Sequence, residues 1–235
     1  MNSSSSQKSC RRYSGLIVPV LIYLISFVGP AIVMVIPTAL LGWSKDYWFS
    51  HLYITGTLGQ ALMDLPAVIM FARIRRHGTG RGRVRVISAG VGLGCAVILA
   101  GIRVALTARL MGGTFMGGVP AFTQSLTLAW PWNVLSASAA LLAYGPGEAI
   151  FVIYLITSFD AALGSQHRVF SWGVVITSLL WALPHIANVF YFGWEALSNV
   201  LIMAFIGLAM GLLLKGTRSS LGPVVFWTLV NGTSA

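Results

Sequence analysis

The sequence predicts an all-α, polytopic transmembrane helical bundle with about seven or eight membrane segments. Three observations point to it. Of 235 residues, 57% are hydrophobic and 9% carry charge, whereas a soluble domain has about 25% charged and 45–50% apolar residues. Mean hydropathy is +0.83, and the apolar residues fall in long runs broken by glycine, proline and basic turns. The formal net charge of +10 is gathered at the ends of those runs. Six arginines (73, 75, 76, 81, 83 and 85) crowd one linker, while Lys8, Arg11 and Arg12 precede the first run. Basic residues in such places mark the cytoplasmic side and touch anionic headgroups. This argues for membrane lipids as the partner of the charge and against nucleic acid.

Residues 1–15 are Ser-rich and read as a mobile cytoplasmic N-terminus; residues 16–234 read as a single membrane domain. The first segment, Leu16–Leu41, is long enough to be a retained helix rather than a cleaved signal peptide, and Pro19, Pro30 and Pro37 imply kinks within it. Leu52–Ile74 follows, carrying Asp64 and Pro66, and then the arginine linker. Val86–Leu106 is the third segment, with Arg103 near its far end. A glycine-rich turn over 111–118 leads into Ala121–Tyr144, and a break at Gly145-Pro146-Gly147 separates it from Glu148–Leu163. Val169–Phe192, Leu197–Leu214 and Leu221–Asn231 complete the set, the last short enough for a partial span. With the arginine linker cytoplasmic and all five later segments crossing, Lys215 and Arg218 would fall outside; Glu148–Leu163 is the segment that could cross incompletely. The expected location is therefore a multi-pass protein of the cytoplasmic membrane, with the basic N-terminus and the Arg73–Arg85 linker on the inner side. Small-xxx-small spacing at Gly90/Gly94 and Gly207/Gly211 reads as close helix packing. Cys10 and Cys95 are too few for a disulfide scaffold or a thiolate metal site.

Five residues are acidic, and one of them, Glu148, opens an apolar run. An ionisable group held at membrane depth is a functional candidate because burial without a partner is expensive. Three roles are open to Glu148: an acid at the positive end of its own helix, a general base that activates water, or the partner of an arginine such as Arg103. His185, after Pro184 at an expected helix distortion, is either a hydrogen-bonded interhelical imidazole or a catalytic or metal-linked one, with Trp181 on the same face. One His and one Glu fall short of the three or four protein ligands of zinc sites, so a divalent metal such as zinc has weak support. Asp64 calls for a partner, Arg103 or Asn133. Asp160 lies near a segment end, where it would be solvated. His51, His77 and His167 sit in or beside turns. Asn231 could donate into a site or cap the last helix, and Trp43, Trp48, Trp172 and Trp194 suit the membrane interface.

The order of these motifs over about residues 120–233 resembles the CPBP family, the intramembrane proteins related to CAAX-processing endopeptidases and to bacteriocin-processing and immunity proteins. The family's Glu-Glu-x-x-x-Arg motif aligns with Gly147-Glu148-Ala-Ile-Phe151-Val152, its Phe-x-x-x-His with Trp181-Ala-Leu-Pro-His185, and its His-x-x-x-Asn with Trp227-Thr-Leu-Val-Asn231. The resemblance implies an intramembrane endopeptidase acting on a membrane-associated peptide, prenylated or not. Glu148 would be the base, His185 the orienter or acid, and Asn231 the oxyanion donor. Three positions depart from the pattern: Gly147 for the first Glu, Val152 for the Arg and Trp227 for the last His. Glycine takes no proton, and an indole donates but neither accepts a proton nor binds metal. A non-catalytic relative that binds a peptide, a lipid or a partner membrane protein in the same cavity is therefore the alternative.

Overall fold

The computed structural model describes residues 15–26, 42, 64, 65, 68, 69, 86–98, 102, 123, 125–165, 167, 169–186, 193, 194 and 197–232. The N-terminus, the arginine linker, Arg103, the 111–118 turn, Asn188, His51, His77, Trp43 and Trp48 lie outside them. Among the described residues all regular structure is helical. We label the helices α1 (Gly15–Ser26), α2 (Val86–Ile98), α3 (Trp132–Leu163), α4 (Trp172–Ala182), α5 (Leu197–Thr217) and α6 (Leu221–Gly232).

α3 and α5, of 32 and 21 residues, are each long and apolar enough to cross a bilayer. Large apolar side chains face outward along the helices, including Ile98, Leu141, Leu179, Leu201 and Phe205. Such surface is suited to lipid rather than water. The chain is an all-α, membrane-associated helical protein. Trp172 and Trp194 are both largely exposed, as anchoring at headgroup level requires.

The expected break at Gly145–Gly147 is absent. Residues 143–147 form one π turn inside a continuous α3, and the Glu148 N–H donates to the Ala143 carbonyl five residues back. Pro146 has no N–H to give, and the wider turn accommodates it without ending the helix. Glu148 therefore does not stand at a helix N-terminus, and its reading as an end-of-helix acid is corrected. Beyond the π turn, residues 151–156 are buried on every side, as befits the central helix of a bundle.

α3 ends at Gly164, whose φ of 65° and N–H to the Asp160 carbonyl form a left-handed cap. Asp160, expected to be solvated, is buried instead. Its Oδ2 accepts from the Ser171 hydroxyl at 2.9 Å and its Oδ1 from the Gly173 N–H at 2.9 Å. Lys215 at the end of α5 completes an ion pair with it. Burial is tolerable because one carboxylate has a cation and two hydrogen-bond donors. Gly173 is required there, since a Cβ would lie 2.6 Å from Asp160 Oδ1.

α4 and α5 pack closely at Gly207, against Ser178, and at Gly211, against Val174. The expected packing role for Gly90 and Gly94 is corrected: both are exposed, and among the described residues a Cβ at either meets nothing within 4 Å. It is Gly92, between them, that abuts the backbone of Gly222 on α6, while Ser88 Oγ accepts from the Gly222 N–H at 2.9 Å. On the other side, the Tyr23 hydroxyl of α1 donates to the Leu180 carbonyl of α4 at 2.9 Å. These contacts dock α1 and α2 on the later helices.

Candidate functional site

The sequence separates Glu148 and Asn231 by 83 positions, and the fold joins them. α6 presents Trp227 and Asn231 one turn apart on the same face, toward the π turn of α3. Glu148 Oε2 accepts from Trp227 Nε1 at 2.6 Å and from Asn231 Nδ2 at 3.1 Å. Asn231 Nδ2 also donates to the Tyr144 carbonyl. An amide nitrogen has two hydrogens, so both are engaged within α3. Two N–H donors converging on one carboxylate oxygen form the kind of geometry that stabilises an oxyanion. Here the oxygen they hold is the protein's own.

His185 lies elsewhere in this network. It sits on the 3-10 turn Leu183–Ile186 that follows α4 and is half-buried, with Nδ1 at 3.1 Å from the Trp181 carbonyl. A carbonyl can only accept, so Nδ1 carries the proton in this contact and Nε2 is the acceptor. Between His185 and Glu148 runs a line of rings. Trp181 is tilted against His185 at 6.4 Å and meets Trp227 edge-on at 5.7 Å, while Phe151 packs on Trp181 at 6.4 Å. Glu148 and Asn231 are thus brought into direct contact, and His185 reaches them through two indoles.

Asp64 occupies the remaining side. Among the described residues neither carboxylate oxygen has a hydrogen-bond partner, although the residue is 3% exposed. A Cβ at Gly147 would come within 2.6 Å of Asp64 Oδ2. The partner expected for Asp64 is not Asn133, since neither Asp64 oxygen is bonded to any described residue.

Residues 129–233 match the model of the family described as type II CAAX prenyl endopeptidase Rce1-like. They form an Rce1-like domain. No curated protein and no solved structure matches the chain. The matched segment of the Rce1-like domain takes in Glu148, His185, Trp227 and Asn231, while Asp64 comes from outside it. A zinc-type metal does not fit these residues. The N–H groups of Trp227 and Asn231 point at the Glu148 oxygen a metal would need, and an indole is no ligand. Among the described residues, no three of His, Cys, Asp and Glu converge as ligands.

The sequence singles out Glu148, His185 and Asn231 as candidates and marks Trp227 only as a departure from the family's histidine. Its four-residue spacing from Asn231 was the available sign that both point the same way. The approach of Asp64 to Gly147 had no local signal, because the two are far apart in the chain.

Proposed function

We propose that the Rce1-like domain is a non-hydrolytic relative of the intramembrane CAAX endopeptidases, which uses its polar centre to hold the bundle and to receive a membrane-embedded partner. One observation carries this reading: Trp227 and Asn231 both donate to Glu148 Oε2. The carboxylate that would activate water and the amide that would stabilise an oxyanion satisfy each other. The partner is a membrane-associated peptide, prenylated or not, a lipid, or another membrane protein, reached from the bilayer. In this reading the chain crosses the cytoplasmic membrane about seven or eight times, with its arginine linker on the inner face.

The test is incubation of a membrane-peptide library with the purified protein and with Glu148→Gln. Neither should yield products above a protein-free control. Cleavage by the wild type that disappears in Glu148→Gln would establish the second reading, an active endopeptidase. The observation favouring that reading is the contact of His185 Nδ1 with the Trp181 carbonyl, which in a neutral ring leaves Nε2 able to accept a proton.

A further inference from the structure

The labelled helices bring one end each to the same side of the bundle. Lys215, late in α5, pairs with Asp160, late in α3, and the Gly173 N–H at the start of α4 donates to the same carboxylate. Ser88 Oγ, early in α2, lies 2.9 Å from Thr217 Oγ1 at the end of α5 and accepts from the Gly222 N–H at the start of α6. A Cβ at Gly15, where α1 begins, would lie 3.3 Å from Ala162 Cβ. The starts of α1, α2, α4 and α6 therefore share a side with the ends of α3 and α5.

Most of the basic residues border that side. Lys8, Arg11 and Arg12 shortly precede α1, the arginine linker leads directly into α2, Arg168 stands between α3 and α4, and Lys215 and Arg218 stand at the α5–α6 turn. Lys45, Arg103 and Arg109 are the others. Among the described acids only Asp160 lies on this side, and Lys215 pairs with it. Two crossings on either side of Gly145–Gly147 would place Lys215 and Arg218 across the membrane from the linker. With α3 one continuous helix, the contact of Ser88 with Thr217 places them beside the start of α2 instead.

The turn from α3 to α4 gives this basic side a receptive shape. A concavity of about 530 Å3 is lined by Leu163, Gly164, Ser165, His167 and Trp172. Ser165 Oγ accepts from the Trp172 N–H at 3.2 Å, which leaves its O–H to donate. Val169, Phe170 and Trp172 expose apolar side chains next to it. A polar hollow, an apolar and aromatic rim and neighbouring basic residues match the boundary between acyl chains and anionic headgroups. The exposed apolar rim favours a membrane surface over a soluble acidic protein.

We propose that this side of the bundle docks on anionic phospholipid, with the α3–α4 turn seating a headgroup phosphate and the gathered basic residues supplying the charge. The surface lies away from the Glu148 centre and does not depend on whether that centre cuts peptides.

The experiment is thermal unfolding of the full chain in an uncharged detergent, with dioleoylphosphatidylglycerol or dioleoylphosphatidylcholine added as mixed micelles. Phosphatidylglycerol should raise the midpoint saturably, by about 5–10 °C at a hundredfold excess over its dissociation constant. Phosphatidylcholine should not, and the rise should shrink in about 0.5 M NaCl, because exposed charges are screened. Arg168→Gln combined with Arg218→Gln should lose most of the rise, whereas Arg103→Gln combined with Arg109→Gln should keep it. Should the first pair fail to fold, His167→Glu, an exposed residue that would set a negative charge in the concavity, should weaken the rise in its place. The proposal is overturned if phosphatidylcholine acts as well as phosphatidylglycerol, or if the rise survives in the basic-side variant that folds. It is equally overturned if soluble polyglutamate stabilises the protein and phosphatidylglycerol does not, since the partner would then be an acidic protein.

Discussion

Glu148 is held by two donors from a single helix, and its substitutions should separate structure from catalysis. Trp227→Phe keeps an aromatic ring but removes the N–H and part of a buried indole, and should cost at least the about 0.5–1.5 kcal/mol of an ordinary hydrogen bond. Glu148→Leu strands both donors and should cost more, about 1–3 kcal/mol for each. Glu148→Gln keeps an acceptor oxygen and should fall between wild type and Glu148→Leu. Detergent-solubilised thermal unfolding ranks the three, and a Glu148→Leu protein as stable as wild type would remove the structural role assigned to this carboxylate. At this scale the sequence was partly legible. A carboxylate in an apolar run announces itself, as do His185 and Asn231. What binds it does not, because hydrogen bonds across 79 and 83 positions depend on how α3 and α6 pack.

Between elements, the firmest junction is where α3, α4 and α5 meet at Asp160. Asp160→Asn removes the charge facing Lys215, and because Lys215 is only partly buried the cost should fall below the about 3–5 kcal/mol of a fully buried pair. Gly173→Ala should be severe at the same junction, at or above the top of the roughly 1–3 kcal/mol range for over-packing, because the obstruction includes backbone. Both would show as lowered unfolding midpoints; a Gly173→Ala protein of wild-type stability would contradict the close approach. The α4–α5 seam gives a paired test. A Cβ at Gly211 would lie 2.9 Å from Val174 Cγ2, so Val174→Ala should rescue part of the damage of Gly211→Ala. A double-mutant cycle should return a coupling of about 0.5–3 kcal/mol. Gly90→Ala, on an exposed face of α2, should not destabilise and should gain about 0.5–1 kcal/mol from helix propensity. Glycine spacing thus pointed to one true seam and one false one. The pattern reports that small residues recur, and only the neighbouring helix decides which of them it touches.

Across the whole molecule, the fold class and the Rce1-like segment were readable from apolar runs and motif order, since both are properties of consecutive residues. The course of α3 was not. Gly145-Pro146-Gly147 has the composition of a break, yet the chain passes through it as helix for 32 residues, a length of about 48 Å. That exceeds a hydrocarbon core of about 30 Å, so α3 must tilt or extend into the headgroups. The π turn has a further consequence, for insertions and deletions. Five residues there occupy a turn that ordinarily takes about four, so α3 carries one surplus residue at a known place. Removing a residue from an ordinary stretch of helix rotates everything beyond it by about 100°, turning buried faces toward lipid. Removing Ala143 instead converts the wide turn to a normal one and leaves both halves of α3 in their present phase. We expect the Ala143 deletion combined with Pro146→Ala, which removes the ring that the wide turn accommodates, to accumulate in membranes near wild-type levels and the Ala139 deletion to be degraded. Equal loss of the two, read by quantitative immunoblotting, would show that the surplus residue is not spare. Tolerance of the first deletion alone would make α3 a helix whose length can change at a single turn, the one that carries the polar centre.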